Sequence, residues 1–336
     1  MSQPVVAVVG ATGAVGVEFL DLLDKRNFPV AALRLFATAR SKGKLMRFKG
    51  EDLAVEELTA ASFEGVDIVL SSVEAPVSRE FSPLAVKAGA VVVDNSSAFR
   101  MDPSVPLVVP EINSAEIAKH RGIIANPNCT AIISAMPLWP IHRRNPIRRI
   151  IASAYQAASG AGAPAMAELL DSTRAYLDGR PYTPSVMPHP YAINLVSHNT
   201  AIDPETGYNE EESKVRFETR KIFGDPAIRV SATCIRVPVL RAHSVAINFE
   251  CEYPITPAEV RNLLSAAPGV KLVDDQARNY FPMPQDATGQ DDILVGRIRQ
   301  DMSDPSGKGM AMFVCGDQLL KGAALNAVQI AEYLVR

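Results

Sequence analysis

The chain has 336 residues, enough for two domains and a large core. Hydrophobic residues make up 47% and charged residues 21%, the balance of an ordinary globular protein. A formal net charge of −3 supplies no broad basic surface for nucleic acid or for an anionic membrane.

The first strand, expected at 5–9, runs straight into Gly10-Ala11-Thr12-Gly13-Ala14-Val15-Gly16, and a helix is expected over 15–25. Glycines between a strand and a helix allow a tight turn and close backbone approach, and the helix N-terminus can receive a phosphate. In that context the run reads as a dinucleotide loop, with Gly10, Thr12, Gly13, Ala14 and Val15 as cofactor-binding residues. A second strand over 33–37 ends in Thr38-Ala39-Arg40-Ser41-Lys42. An NAD site places Asp or Glu there for the ribose 2′-hydroxyl. Here Arg40 and Ser41 suit a 2′-phosphate and no acid stands in the run to repel it, so the cofactor is expected to be NADP.

Further strands are expected at 67–71, 90–94, 107–109 and 122–125, with helices at 78–87 and 114–119. This alternation predicts an α/β fold, a Rossmann-type doubly wound sheet over residues 1–128. Cys129 follows, in Asn126-Pro127-Asn128-Cys129-Thr130. It stands at a strand end and at the expected N-terminus of a helix, where unpaired N–H groups and the helix dipole favour a thiolate. Pro137 is expected to stop or kink that helix after about two turns. The basic run 142–149 contains a proline and reads as a solvated connector.

Beyond Cys129 the pattern changes. Strands are expected at 149–157, 228–239, 245–253, 293–299 and 310–315, the third alternating with period two. Helices at 164–177, 210–222 and 256–266 separate them, which predicts an α+β catalytic domain over 129–317 with a mostly antiparallel sheet. Residues 179–191 read as a Pro-rich surface loop, and a final helix over 321–335 is expected to complete the first domain as part of 318–336.

Cys129, Cys234, Cys251 and Cys315 are far apart, with no C-x-x-C pair. That excludes a zinc site or disulfide framework and fits a reducing cytoplasm. Met1-Ser2-Gln3-Pro4 lacks a basic leader region, and no apolar run approaches the ~20 residues of a membrane span. A soluble cytoplasmic protein without metal is expected.

A nicotinamide site with a nucleophilic cysteine implies chemistry through a thioester. His243, in Arg236-Val237-Pro238-Val239-Leu240-Arg241-Ala242-His243, is the acid/base candidate. His120, His142, His189 and His198 show no comparable local pattern.

Several ordered motifs now stand together: the Gly10 loop, Asn95-Ser96-Ser97-Ala98-Phe99-Arg100, the Cys129 run, and Tyr155-Gln156-Ala157-Ala158-Ser159-Gly160. Glu210-Glu211-Glu212-Ser213-Lys214, the Arg236–His243 stretch and Lys321-Gly322-Ala323-Ala324-Leu325-Asn326 follow. With them the chain resembles the aspartate-semialdehyde dehydrogenase family from end to end. The resemblance implies Cys129 as acylated nucleophile, His243 as acid/base, and Gln156 as the residue orienting substrate and thioester. It implies Arg236 for the substrate carboxylate, Glu211 for the ammonium, and Arg100, Asn128 and Lys214 for phosphate. Read from the residues alone, Glu211 and Lys214 would be an i,i+3 pair on a solvated helix. Ser159, Gly160 and Gln318 would contact the cofactor. The implied reaction reduces aspartyl phosphate to aspartate semialdehyde, releasing inorganic phosphate, in lysine, threonine and methionine biosynthesis. The implied assembly is a homodimer or homotetramer.

Two departures from the family pattern concern the cofactor: Glu74 in Ser71-Ser72-Val73-Glu74-Ala75, expected to point outward, and Gln318 in Gly316-Asp317-Gln318-Leu319. Two alternatives remain open from sequence. One is a sibling enzyme reducing N-acetyl-γ-glutamyl phosphate or another acyl phosphate. The other is a homologue that has lost catalysis.

Overall fold

The structure, a computed structural model, describes residues 3–335. They form two compact units: the chain up to Asn128 together with the chain from Gly322, and Cys129–Lys321.

The first unit opens with β1 (Val5–Val9), α1 (Ala14–Lys25) and β2 (Ala32–Ala37). A hairpin of β3 (Leu45–Phe48) and β4 (Glu51–Glu57) follows. Next come β5 (Ile68–Ser71), α2 (Ala75–Lys87), β6 (Val91–Asp94), the short α3 (Pro110–Asn113) and β7 (Ile123–Ala125). The sheet order is β3-β4-β2-β1-β5-β6-β7, parallel throughout except between β3 and β4. β2 and β5 flank β1 on opposite sides, so the crevice of a doubly wound sheet lies beyond the carboxyl ends of β1 and β5. The near-continuous apolar runs of β1 and β5 are explained by burial on both faces: Val6–Val9 and all of β5 are buried. Ala7, Val9, Phe36, Phe63, Val69 and Val92 make a common core.

The β3–β4 hairpin was not among the expected elements, because its strands are charged and largely exposed at the sheet edge. Its turn is Lys49-Gly50, with φ of 49° and 86°. Positive φ at both positions is what a tight, right-twisted two-residue hairpin turn demands, and Gly50 was its one local signal. The expected strand at 107–109 is a single bridge, Leu107 to Ala125, and residues 114–119 form a 3₁₀ helix. Val109 N–H and the Leu107 carbonyl bond the side chain of Asn113 instead of a ladder.

The second unit begins with α4 (Cys129–Arg144), then β8 (Ile147–Gln156), α5 (Ala163–Leu177) and β9 (Val196–Ser197). α6 (Glu210–Phe223), β10 (Arg229–Arg236), β11 (His243–Cys251) and α7 (Pro257–Ser265) follow. β12 (Val270–Leu272), the short α8 (Pro284–Ala287), β13 (Ile293–Gln300) and β14 (Gly309–Gly316) close it. The order β12-β13-β14-β11-β8-β10-β9 is mixed: β8 and β10 run parallel, as do β12 and β13, and the other pairings are antiparallel.

Pro137 neither stops nor shortens α4, which continues through Pro137 and Pro140 to Arg144. Ten of its residues are buried, among them Ile132, Ile133, Met136, Leu138 and Ile141. Each such side chain stabilises by about 1.5–3 kcal/mol, against about 3 kcal/mol for an interior proline. Packing therefore outweighs the two missing N–H donors. Residues 142–149 are the last turn of α4 and the start of β8, where Arg149 pairs Glu250 at 2.5 Å and Arg148 pairs Glu252.

The final helix, α9 (Leu325–Leu334), belongs to the first unit and buries Leu325, Ala327, Val328, Ile330 and Ala331. Arg26, just after α1, grips Glu332 through two bonds of 2.6 and 3.0 Å.

Candidate active site

Three strand ends meet at one edge of the second unit's sheet. β8 ends at Gln156 and the parallel β10 ends at Arg236, directly opposite it. β11 runs the other way and starts at His243, beside the end of β8 on the side opposite β10. Strand direction alone thus converts three distant sequence positions into one cluster. Gln156, Arg236 and His243 are 1%, 5% and 0% exposed.

Cys129 is the first residue of α4, and the next residue, Thr130, accepts a 2.7 Å hydrogen bond from Gln156 Nε2. None of the described cysteines is in a disulfide, and only Cys129 is half-exposed. Burial pushes the Cys251 and Cys315 thiols up to about 12, and it pushes Cys234 up as well. Those three have the character of inert hydrophobes, which leaves Cys129 as the one described thiol with the exposure a nucleophile needs.

His243 has one defined tautomer. Its Nδ1 accepts a 3.0 Å bond from Ala157 N–H, which only an unprotonated ring nitrogen can do. The proton of the neutral ring is therefore on Nε2, which is buried and finds no partner among the described residues. Burial, and after it the Arg236 charge, push this imidazole down to about 3, with His198 adding to the effect and Glu211 opposing it. An unmet buried donor costs about 1–3 kcal/mol, a cost that makes sense where a reacting atom completes the bond. Gly160 marks where that atom could sit. A Cβ there would lie 2.9 Å from His243 Nε2 and 2.9 Å from Arg236 Nη1, so the missing side chain keeps both accessible.

Ala242, immediately before His243, has φ of 72°, a left-handed conformation that strains any residue with a Cβ. Gln318 holds it there: Oε1 accepts from Ala242 N–H at 2.9 Å, while Nε2 donates to Ser159. The resemblance implied that Gln318 and Ser159 contact the cofactor. In the structure both ends of the Gln318 amide are engaged inside the second unit, where they prop the backbone that carries His243.

Glu211 lies in the first turn of α6, whose cap Asn209 makes a reciprocal capping box with Glu212. Gln156 Nε2 donates to Glu211 Oε1 at 2.9 Å, and Lys214 approaches Oε2 at 3.7 Å. The i,i+3 pair exists, but the helix face is not solvated there, since the Glu211 side chain is only 7% exposed. A buried carboxylate needs partners, and Gln156 and Lys214 supply them here.

Arg236 is held from two sides. Nη2 meets His198 Nε2 at 2.8 Å and Nη1 donates to the Ala157 carbonyl at 3.4 Å, while Nε has no partner. Sequence reasoning passed over His198, because β9, which precedes it, is two residues long and carries no motif. The register was the missing information: Val196 pairs Arg236.

In the first unit, the Gly10 loop is built as a nucleotide turn. Gly10 has φ of 83°, and a Cβ would strike the Ser72 carbonyl at 2.2 Å. Gly16 lets α1 pack on the loop, since a Cβ would meet the Gly10 carbonyl at 2.3 Å. Gly13 caps α1 without a side-chain bond, which leaves the first-turn N–H groups of Ala14 and Val15 uncapped by any side chain there and suited to a phosphate. Thr12 is exposed, and its hydroxyl lies 3.2 Å from that of the buried Ser41. Arg40 is exposed. β4 brings Glu57 beside Ala37 at the end of β2, an acid invisible to local reading, and Lys42 meets it at 3.5 Å. Glu74 is exposed at the start of α2, where the helix dipole favours a carboxylate. These donors fit a dinucleotide phosphate group.

Arg100 is buried in the first unit, donating to the carbonyls of Asn126 at 2.9 Å and Asn95 at 2.7 Å. Asn128, 6% exposed, ends that unit, while Lys214 lies in the second. No three His, Cys, Asp or Glu side chains among the described residues could share a metal ion, and no described helix is long and apolar enough to cross a membrane.

Residues 5–120 match the semialdehyde dehydrogenase NAD-binding domain, and residues 138–321 match the semialdehyde dehydrogenase dimerisation domain. The aspartate-semialdehyde dehydrogenase of Synechocystis sp. is 54% identical over 100% of this chain and 98% of its own. The chain belongs to the aspartate-semialdehyde dehydrogenase family. A crystal structure of aspartate semialdehyde dehydrogenase II from Vibrio cholerae, complexed with ASA, superposes with a TM-score of 0.96 at 41% identity, covering 100% of this chain and 99% of that one. The aspartate semialdehyde dehydrogenase of Candida albicans, solved with NADP, superposes with a TM-score of 0.74 at 26% identity, covering 98% of each chain. Membership makes the chain an oxidoreductase of amino-acid biosynthesis, built from an NAD(P)-binding Rossmann-type unit and an α+β unit of the dimerisation type.

Proposed function

We propose that the chain reduces L-aspartyl 4-phosphate to L-aspartate 4-semialdehyde through a thioester on Cys129, with NADPH as reductant, in the cytoplasm. The observation that carries this reading is the convergence of His243 Nε2 and Arg236 Nη1 beside Gly160, next to the buried Gln156–Glu211 pair.

The Cys129 thiolate, favoured by the start of α4, attacks the acyl carbon, and the carbon–oxygen bond to phosphate breaks. The resemblance gives the departing phosphate to Arg100 and Asn128 of the first unit and to Lys214 of the second. Arg236 grips the substrate carboxylate, Glu211 faces the ammonium, and Gln156 orients the acyl group with its unpartnered Oε1. NADPH, when bound at the Gly10 loop with Arg40 and Ser41 on its 2′-phosphate, supplies the hydride. The thioester oxygen then bears the negative charge, and the His243 Nε2–H donates a hydrogen bond to it while keeping its proton. When the oxyanion collapses, the carbon–sulfur bond breaks and Cys129 is again a thiolate. No step in this sequence requires His243 to be charged.

An acetylated substrate carries no ammonium for the Glu211 carboxylate to meet, which disfavours the glutamyl alternative, and the intact Cys129, Gln156, Arg236 and His243 disfavour a silent homologue. The dimerisation domain supports a homodimer or a dimer of dimers. The test is phosphate-dependent formation of NADPH from aspartate semialdehyde. It should vanish in Cys129→Ser, and activity surviving that change would remove Cys129 from the chemistry.

A further inference from the structure

Arg236 Nη2 needs an acceptor, since a guanidinium has only donors, so His198 Nε2 is unprotonated and the ring proton is on Nδ1. His198 Nδ1 lies 3.1 Å from Thr200 Oγ1, which also accepts from Glu211 N–H at 3.3 Å. The direction of every bond in this chain is therefore fixed: Arg236 donates to His198, His198 to Thr200, and the first turn of α6 to Thr200. His198 is buried, at 8% exposure.

We propose that His198 is a positioning residue for substrate selection, clamping the Arg236 guanidinium and linking it through Thr200 to the helix turn that carries Glu211. With Nη2 on His198 and Nη1 on the Ala157 carbonyl, the guanidinium plane cannot rotate, and Nε is left as a buried donor without a partner. That donor suits a planar carboxylate, whereas a freely rotating arginine would spend binding energy on ordering itself. The same relay fixes the spacing between the carboxylate receptor, Arg236, and the ammonium receptor, Glu211. The ligand class so selected is an α-amino acid aldehyde or acyl phosphate. Burial first, and then the Arg236 charge, push His198 down to about 4, so the acceptor persists at neutral pH, with Glu211 opposing the shift and Lys214 adding to it.

This inference rests on the reading that Arg236 holds the substrate carboxylate, and two substrates separate the two claims. Aspartate semialdehyde carries the α-carboxylate; 3-aminopropanal is the same molecule without it. His198→Gln keeps an acceptor near Nε2, whereas His198→Asn keeps only a donor near Nδ1. The KM for aspartate semialdehyde should rise about ten-fold or more in His198→Asn and stay within about three-fold of the parent in His198→Gln. Thr200→Val, which frees the imidazole, should move KM in the same direction with kcat nearly unchanged. Activity on 3-aminopropanal should fall far less in all three than activity on aspartate semialdehyde. Equal losses on both substrates, or no rise in KM in His198→Asn and Thr200→Val, would overturn the proposal. Arg236→Leu tests the underlying reading: if it impairs both substrates equally, the carboxylate assignment fails whatever the His198 variants do.

Discussion

His243 offers the clearest physical argument for a single residue. The Ala157 N–H occupies Nδ1, so a second proton could enter the ring only by breaking that bond in a buried site beside Arg236. The thioester sequence balances without it: the oxyanion needs a hydrogen-bond donor, not a proton. A non-titrating donor at the same place should therefore preserve part of the activity. His243→Gln puts an amide N–H near the Nε2 position and should retain about 10²-fold more kcat/KM than His243→Ala, in line with the worth of one oxyanion donor. Equal inactivity of the two variants would mean that the imidazole must carry a proton. The same geometry fixes a stability trend. Its folded pKa lies below the unfolded value of about 6.5, so the unfolded chain binds more protons between these values and stability falls as pH drops below about 6.5. His243→Gln should flatten that decline, which denaturant titrations from pH 7 to pH 5 would measure.

At the scale of elements, the parts of the site legible in sequence were those with local chemistry. The thiol at a helix start, the glycine turn after β1 and the period-two strand at β11 each follow from neighbours a few residues away. Other features depended on register. His198 became relevant only because β9 pairs with β10, and Gln318 can reach Ala242 because β14 ends at Gly316, opposite His243. Pro137 misled because helix rules assume water on one side, whereas α4 is packed against β8, β11, β13 and β14. The 179–191 loop is a similar case. It holds no helix or strand, yet Met187 and Tyr191 are buried against Ala158, Ala165 and Leu169. The Glu168 carboxylate accepts from the N–H groups of Ser185, Val186 and Met187 at 2.6, 2.7 and 2.8 Å. Burial opposes the charge of Glu168, but these backbone donors more than offset it and hold the carboxyl below its ordinary range. A depressed carboxylate contributes stability above its unfolded pKa and loses it as pH falls through the folded value. Glu168→Ala should accordingly speed proteolysis within residues 180–195 at neutral pH. It should also abolish the rise in cleavage expected of the parent on acidification. An unchanged cleavage rate would mean that the buried Tyr191 and Met187 hold the loop by themselves.

At the scale of the whole molecule, the chain leaves the first unit at Asn128 and returns to it at Gly322, so a nucleotide-binding sheet made early depends on a helix made last. The dependence is physical, not merely topological. Asn326 donates to the Val108 carbonyl at 2.9 Å and to Asn126 Oδ1 at 2.6 Å, and Asn126 in turn donates to Asn95 Oδ1 at 2.7 Å. Arg100 bonds the carbonyls of those same two asparagines, so the helix at the C-terminus supports the backbone on which Arg100 rests. Removing α9 would expose Leu325, Val328 and Ile330 contacts worth about 1.5–3 kcal/mol each, together a large share of a typical domain's 5–15 kcal/mol. A chain ending at Lys321 keeps Gly10, Arg40 and every residue of the second unit. It should nonetheless lose NADPH binding in a fluorescence titration, while retaining the far-ultraviolet signal of the second unit's sheet. The milder Asn326→Ala keeps the apolar contacts and removes only the amide bonds. It should lower the melting temperature by several degrees and weaken phosphate-dependent activity more than NADPH affinity, because the bonds it cuts lead to Arg100 and not to the Gly10 loop. Full NADPH binding by the shortened chain would show that the sheet closes its core without α9.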